Sequence, residues 1–326
     1  MPHLEDAFGR TLEYLRLSVT DRCNFRCAYC LPQGCARGAG SQPLSGDEID
    51  RLVRAFAALG FWKFRLTGGE PTLRQDLVDV VRRIVVAPGV RRVGLTTNGY
   101  RIASMATELR DAGLSSLNVS LDSLRPERFE ALTGCSRMAA VVEGIEAAVA
   151  AGIPSVKVNA VLLRGLDGGE LDQFLSWTRR LPLTVRFIEL MQTADNDAFF
   201  RRHHLPVEQI RRELEARGWT ALTRRPEHGP ATTFSHLDHA GKVGLIAPYS
   251  AGFCATCNRL RVSSTGGLKL CLFGDRQTPL RPLLRSDTQR YELSALIAAA
   301  VRGGLDAHGL HEGRCGSTRT LAAIGG

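Results

Sequence analysis

Over its first two thirds the chain alternates short apolar runs with amphipathic stretches. Runs at 12–19, 62–67, 92–97, 116–121, 156–163 and 184–190 are rich in β-branched and aliphatic residues and short enough to be strands. Apolar positions at helical spacing predict helices over 47–59, 75–86, 102–112, 138–151, 169–180 and 207–217. Gly60, Gly113, Gly152 and Gly218 stand just past the end of such periodicity, where a C-cap wants a left-handed residue. Ser45, with Glu48 three residues on, has the form of a capping box for the first helix. Six consecutive βα units predict an α/β fold whose parallel sheet rolls into an incomplete (β/α)6 TIM-like barrel. An eightfold barrel would need two more units, which the rest of the chain does not supply.

Near Gly218 the pattern changes. Short strand candidates at 219–223, 231–234, 243–246, 259–262 and 268–270 are separated by Gly, Pro and His, which predicts a small antiparallel region. Helical stretches near 279–284 and 291–301 follow, then a Gly- and Arg-rich tail ending in Gly325-Gly326. The expected division is a barrel over 1–217 and a C-terminal region over 218–326, packed together without a long linker.

A parallel barrel carries its chemistry at the C-terminal ends of its strands. Those positions hold Gly68-Gly69-Glu70-Pro71, Thr96 to Gly99, then Asn118, Ser120 and Asp122, then Lys157 and Asn159, then Arg186, Glu189 and Met191. Polar side chains on strands that otherwise read as buried are costly unless partnered, so a row of them on one rim points to a ligand site. The glycine pair is read as letting backbone approach a ligand closely.

The first strand is followed by Cys23-Asn24-Phe25-Arg26-Cys27-Ala28-Tyr29-Cys30. Three thiols this close can surround one metal centre, and three ligands on a four-iron cluster leave one iron open to a small molecule. Tyr29 offers that molecule a ring or backbone contact. A zinc knuckle or a disulfide is the competing reading, but structural zinc normally takes four protein ligands and no histidine lies near the loop. Cys254, Cys257 and Cys271 form a second group of three. If 257–261 is extended, Cys257, Arg259 and Arg261 share a face, and guanidinium groups beside a metal centre suit phosphate oxygens. A structural zinc hairpin is the alternative there. Cys35, Cys135 and Cys315 stand alone and read as structural or incidental thiols.

The net charge of +9 is dispersed along the chain rather than gathered in a tail or interleaved with aromatics. That argues against nucleic acid and for an anionic small substrate. No apolar run is long enough to span a membrane, and the start of the chain lacks the character of a signal peptide. A cytoplasmic protein is expected.

The Cys23/Cys27/Cys30 spacing with Tyr29, followed by Gly68–Pro71, resembles the radical S-adenosylmethionine (radical SAM) superfamily. Adding 15–27, 65–71, 96–99, 118–122, 156–159, 186–189, 253–259, 271–273 and the terminal Gly325-Gly326, the chain resembles the GTP 3′,8-cyclase family of molybdenum cofactor biosynthesis. The resemblance implies a barrel of the radical SAM type and two [4Fe-4S] clusters. It assigns Cys23, Cys27 and Cys30 to the cluster that binds SAM, and Cys254, Cys257 and Cys271 to one that binds the substrate guanine. It assigns Tyr29, Gly69, Ser120 and Met191 to SAM. Arg16, Arg65, Thr96, Lys157, Arg259 and Arg261 are assigned to GTP, with Lys63 and Arg186 as additions; Arg16, Arg259 and Arg261 are also implied as catalytic. In the implied reaction a 5′-deoxyadenosyl radical takes the ribose 3′ hydrogen, and the C3′ radical attacks C8 of guanine. A flavodoxin- or ferredoxin-like electron donor, a downstream cyclic pyranopterin monophosphate synthase, a homodimer and a tail reaching into the active site are implied too. Another radical SAM enzyme with an auxiliary cluster, or a non-enzymatic iron–sulfur or zinc module, is the alternative.

Overall fold

The computed structural model describes residues 4–31, 42–166, 168–223, 229–274, 276–303 and 310. Ahead of the barrel, β1 (Leu4–Glu5) and β2 (Thr11–Leu12) form a small antiparallel ribbon. Then β3 (Tyr14–Ser18), β4 (Lys63–Thr67), β5 (Arg92–Thr97), β6 (Ser116–Ser120), β7 (Val156–Leu162) and β8 (Thr184–Glu189) pair in parallel in chain order. The connections carry α1 (Gly46–Ala58), α2 (Leu77–Val85), α3 (Ala106–Asp111), α4 (Pro126–Thr133), α5 (Met138–Ala150) and α6 (Gly168–Arg180). In α1 the capping box is complete: Glu48 N–H donates to Ser45 Oγ, and Ser45 N–H donates to Glu48 Oε2 at 2.8 Å. Ile49, Leu52, Val53 and Phe56 follow at helical spacing and are fully buried. Each such side chain contributes about 1.5–3 kcal/mol on leaving water.

Among the described residues, two α-helices lie beyond the predicted set. α4 starts on Pro126 and stops at Gly134, whose φ of 65° is left-handed. α7 (Asp197–His203) has no buried residue, so no apolar stripe marks it in the sequence. The predicted helix at 102–112 is split into a 3-10 turn (Ile102–Ser104) and α3. Further on lie α8 (Val207–Ala216) and α9 (Arg290–Arg302).

The C-terminal part comprises β9 (Thr220–Ala221), β10 (Thr232–Ser235), β11 (Lys242–Ile246), β12 (Arg259–Val262), β13 (Gly267–Lys269) and β14 (Thr278–Pro279). The antiparallel pairing expected there holds for β9–β10, β10–β11, β12–β13 and β13–β14. It does not extend to the pairings with the barrel: β11 joins β8 in parallel and β12 joins β3 in parallel. The two ends of a partial barrel are rows of unpaired N–H and C=O groups, and each is covered by one of these strands. Among the described residues the strand order is linear, β14-β13-β12-β3-β4-β5-β6-β7-β8-β11-β10-β9, so the barrel is open.

Leu15 and Leu17 of β3 are fully buried in the apolar core, which the helices share. Tyr14 and Arg16 point the other way and line a cavity. Where many barrels fill the interior with aliphatic layers, this one has polar residues around open space.

Candidate active site

Residues paired in register across parallel strands face the same side. Tyr14 and Arg16 are flanked by Lys63 and Arg65 of β4 on one side and by Arg259 and Arg261 of β12 on the other. Further round, Asn118 pairs with Lys157, and Asn159 with Arg186. The result is a cavity of about 180 Å3 lined by Arg10, Arg16, Lys63, Arg65, Lys157, Arg186, Arg259 and Arg261, with Cys254, Cys257 and Cys271 on its wall. Asp6 is the one carboxylate among its described lining residues, and it is paired with Arg10 at 2.6 Å.

Cations held this closely destabilise one another, and burial penalises each. Burial, with repulsion from Arg65 and Arg259, brings Arg16 down to about 10. Burial, with Arg65, brings Arg186 to about 9. Both remain charged at neutral pH. Lys157 is brought to about 7 by burial and by Arg186, Arg65 and Lys63, so near neutrality it is only partly charged. A bound polyanion would relieve all three at once.

Arg65 is built into the wall rather than free to move. Its Nε, Nη1 and Nη2 donate to Tyr14 Oη, the Leu95 carbonyl and Ser116 Oγ, each at 2.8 Å. The guanidinium reaches Ser116 by crossing Gly94, where a Cβ would stand 2.6 Å from Nη2. Beside it, Asn118 Oδ1 is buried and meets no hydrogen-bond partner among the described residues. A buried acceptor in that state calls for a donor from a ligand.

A second cavity, of about 170 Å3, opens at the ends of the strands. It is lined by Cys23, Cys27 and Cys30 and by Tyr29, Gly68, Gly69, Thr96, Ser120, Asp122 and Met191, and no Lys or Arg is among its described lining residues. Asp122 ties two of its walls together: Oδ2 accepts from Tyr29 Oη at 2.7 Å and Oδ1 from Val161 N–H at 2.9 Å. Burial raises the Asp122 carboxyl, and burial together with Asp122 raises the Tyr29 phenol well above its usual range. The Cys27 thiol is pushed up by burial, by Asp122 and by the neighbouring Cys30 and Cys23. Thiolate charge in that setting needs a cation among the sulfurs, which a metal centre supplies.

The glycines have a role the sequence reading did not give them. A Cβ on Gly68 would stand 2.2 Å from the Thr20 carbonyl oxygen, and one on Gly69 would stand 2.1 Å from that of Arg22. Gly69 N–H donates to Thr20 O at 2.9 Å and Glu70 N–H to Arg22 O at 2.6 Å. The close approach is therefore to the protein's own chain as it enters the cysteine loop. The buried Glu70 carboxylate accepts from Thr72 N–H and Oγ1, from Thr97 Oγ1 and from Asn98 N–H. Asn98 Nδ2 in turn donates to Asn24 Oδ1 at 2.8 Å, so one acid locks the glycine turn, the end of β5 and the cysteine loop. Asn159, Ile188 and Met191 line both cavities, which therefore adjoin.

The profile of the radical SAM superfamily matches residues 17–178, and that of the Molybdenum Cofactor Synthesis C family matches 183–309. The GTP 3′,8-cyclase of Stenotrophomonas maltophilia strain R551-3 is 50% identical over 326 residues, covering 100% of both chains. That of Aeromonas hydrophila is 52% identical over 331 residues, covering 100% of this chain and 97% of the relative. The chain belongs to the GTP 3′,8-cyclase family of radical SAM proteins. In the crystal structure of Streptococcus suis SuiB bound to S-adenosylmethionine the fold recurs, with a TM-score of 0.60 at 13% identity over 91% of this chain and 67% of that one.

Radical SAM proteins use an iron–sulfur cluster and SAM, and the second cavity fits that pair. Three thiols share its wall, and Thr96 Oγ1 is buried in it without a partner among the described residues. Among the described residues no three His, Cys, Asp or Glu side chains converge on a single ion, and a four-iron cluster does not require them to, because it spaces its ligands more widely. Of the residues that family resemblance assigned to SAM, Tyr29, Gly69, Ser120 and Met191 all line this cavity. Tyr29 commits its hydroxyl to Asp122, which leaves ring and backbone for a ligand. Arg16, Lys63, Arg65, Lys157, Arg186, Arg259 and Arg261 come together in the cationic cavity, whereas Thr96 lies with the first triad. Sequence reasoning missed Arg10 and Tyr14. What places Tyr14 at the site is its register with Lys63 and Arg259, which short-range sequence pattern does not carry. Cys135 is partly buried against the core. Cys35, Cys315 and the Gly-Gly tail lie outside the described residues. No described helix is long and apolar enough to cross a membrane.

Proposed function

We propose that this chain converts GTP to (8S)-3′,8-cyclo-7,8-dihydroguanosine 5′-triphosphate, the first step of molybdenum cofactor biosynthesis. The observation that carries the reading is the meeting of a cavity bearing Cys23, Cys27 and Cys30, with no Lys or Arg among its described lining residues, with a cationic one bearing Cys254, Cys257 and Cys271. When bound, SAM and the first cluster supply a 5′-deoxyadenosyl radical. Tyr29, Gly69, Ser120 and Met191 hold the SAM. The triphosphate, with about four negative charges, is gripped by Arg16, Lys63, Arg65, Lys157, Arg186, Arg259 and Arg261, and Thr96 contributes from the neighbouring cavity. GTP loses the hydrogen at C3′, gains the C3′–C8 bond, and takes up one electron and one proton, so the product is its isomer. Arg16, Arg259 and Arg261 assist that last step. Cys254, Cys257 and Cys271 would hold a second [4Fe-4S] cluster, which would supply a binding partner for the guanine. In support, Arg259 draws the Cys257 thiol below its usual range against the effect of burial, which favours a thiolate ligand. A flavodoxin- or ferredoxin-like protein delivers the electron, cyclic pyranopterin monophosphate synthase takes the product, and two copies form a dimer.

The test is anaerobic reconstitution, an iron count, and incubation with SAM, dithionite and GTP. GTP-dependent formation of 5′-deoxyadenosine and of the cyclised nucleotide is expected. No 5′-deoxyadenosine, or an amount indifferent to GTP, overturns the reading.

A further inference from the structure

Tyr14 stands among the cations with no part in the chemistry above. It opens β3, is 8% exposed and lines the cationic cavity. Arg65 Nε donates to its oxygen at 2.8 Å, and the Lys63 ammonium lies 4.7 Å from its ring centroid. Arg65 does not depend on Tyr14 for its place, because the Leu95 carbonyl and Ser116 hydroxyl also hold it. The fixed arginine orients the phenol. Accepting from Arg65 occupies one lone pair of the Tyr14 oxygen and leaves its O–H to donate. Among the described residues, the charged groups that act on it are all donors: Arg16 on its own strand, Lys63 and Arg65 from β4, Arg259 from β12, Lys157 from β7 and Arg186 from β8, while Asp6, the carboxylate on the same cavity wall, is paired with Arg10. A buried hydroxyl in such company has its natural acceptor in an anion arriving from solution.

We propose that Tyr14 is a substrate-binding residue whose hydroxyl, aimed by Arg65, donates a hydrogen bond to a phosphate oxygen of the nucleotide. This rests on the GTP reading above. The same cations make the phenol acidic. Burial alone would push it up, but Arg65, Arg16 and Lys63 outweigh burial and bring it to about 7. Below that pH the O–H is present and donates. Above it the phenolate has no proton to give and repels phosphate, so affinity falls as pH rises. Lys157 works in the same direction, and the share of Tyr14 is read by difference.

The experiment titrates reconstituted full-length protein with GTP and with inorganic triphosphate, from about pH 6 to about pH 9, around the phenol's inflection. Tyr14→Phe is expected to bind both about tenfold more weakly at the acid end, the loss of a hydrogen bond to a charged acceptor, and to converge on the wild type at the alkaline end. Placing 3-fluorotyrosine at position 14, with its more acidic phenol, is expected to start the fall at lower pH. Unchanged SAM binding in both variants shows that the fold is kept. Wild-type affinity and pH profile in Tyr14→Phe would overturn the proposal, as would a loss equal at both ends of the range, which marks a purely structural role. Wild-type protein that binds inorganic triphosphate in a Tyr14-dependent way but not GTP upholds the anion contact and overturns the GTP reading. Wild-type protein that binds neither overturns both.

Discussion

Two adjoining cavities built on largely the same strands differ sharply in charge. One is lined by Arg10, Arg16, Lys63, Arg65, Lys157, Arg186, Arg259 and Arg261; the other, among its described lining residues, has Asp122 and no Lys or Arg. The sorting follows position along each strand. Early inward positions carry cations, as with Arg16 on β3, Lys63 and Arg65 on β4, and Lys157 on β7. Later ones carry small polar groups, as with Thr67, Ser120 and Asn159. The cysteine triads inherit the difference: Cys27 is pushed up by burial and Asp122, while Cys257 is drawn down by Arg259 against burial. On the proposed reading, a sulfonium ligand suits the cavity that holds Asp122 and a triphosphate suits the cationic one.

The largest effect expected from breaking this arrangement comes from the cysteines. Cys27→Ala should abolish all SAM cleavage. Cys257→Ala should lose cyclised nucleotide while still cleaving SAM without coupling; both are read by chromatography of 5′-deoxyadenosine and nucleotide products. Equal loss of SAM cleavage in the two variants would erase the functional distinction between the cavities. Next comes Arg259→Ala. Losing a charged hydrogen-bonding partner, worth about 1.5–3 kcal/mol, should weaken GTP use roughly ten- to hundredfold while SAM cleavage without GTP is retained.

A smaller effect concerns pH. Lys157, held at about 7, is charged below that value and neutral above it. Because the anion needs the ammonium, KM for GTP should rise between about pH 7 and pH 9, and Lys157→Arg should flatten the rise. KM for SAM should not follow it. The smallest effect is that of Asp122→Asn, which removes the acid but keeps a side chain able to accept from Tyr29. It should weaken SAM binding several-fold, by about 0.5–1.5 kcal/mol, and leave GTP binding unchanged.

Local pattern made much of the fold legible. β5 falls on its predicted bounds because a short run of β-branched and aliphatic residues is framed by polar ones, and Ser45 with Glu48 announces α1. α7 was invisible because it buries nothing, and α4 because its signal was a proline at its first turn, easily read as a loop. That β11 and β12 would join the barrel in parallel, one at each end, depends on contacts far apart in sequence, which short-range periodicity does not carry. At the site, cysteine spacing was enough to place each triad on one wall. Tyr14 was not legible as a site residue, because an aromatic opening a strand reads as core until its register with Lys63 and Arg259 is known. For Gly68 and Gly69 the need for close approach was legible, but not that the neighbour is the backbone at Thr20 and Arg22.

The charge-sorted pair of cavities is tested most directly by equilibrium dialysis of isotopically labelled SAM and GTP against anaerobically reconstituted protein, separately and together. The expected result is that saturating GTP leaves SAM fully bound and saturating SAM leaves GTP fully bound, with Arg259→Ala lowering GTP retention alone. Mutual displacement of the two ligands, or loss of SAM retention in Arg259→Ala, would contradict two separate sites.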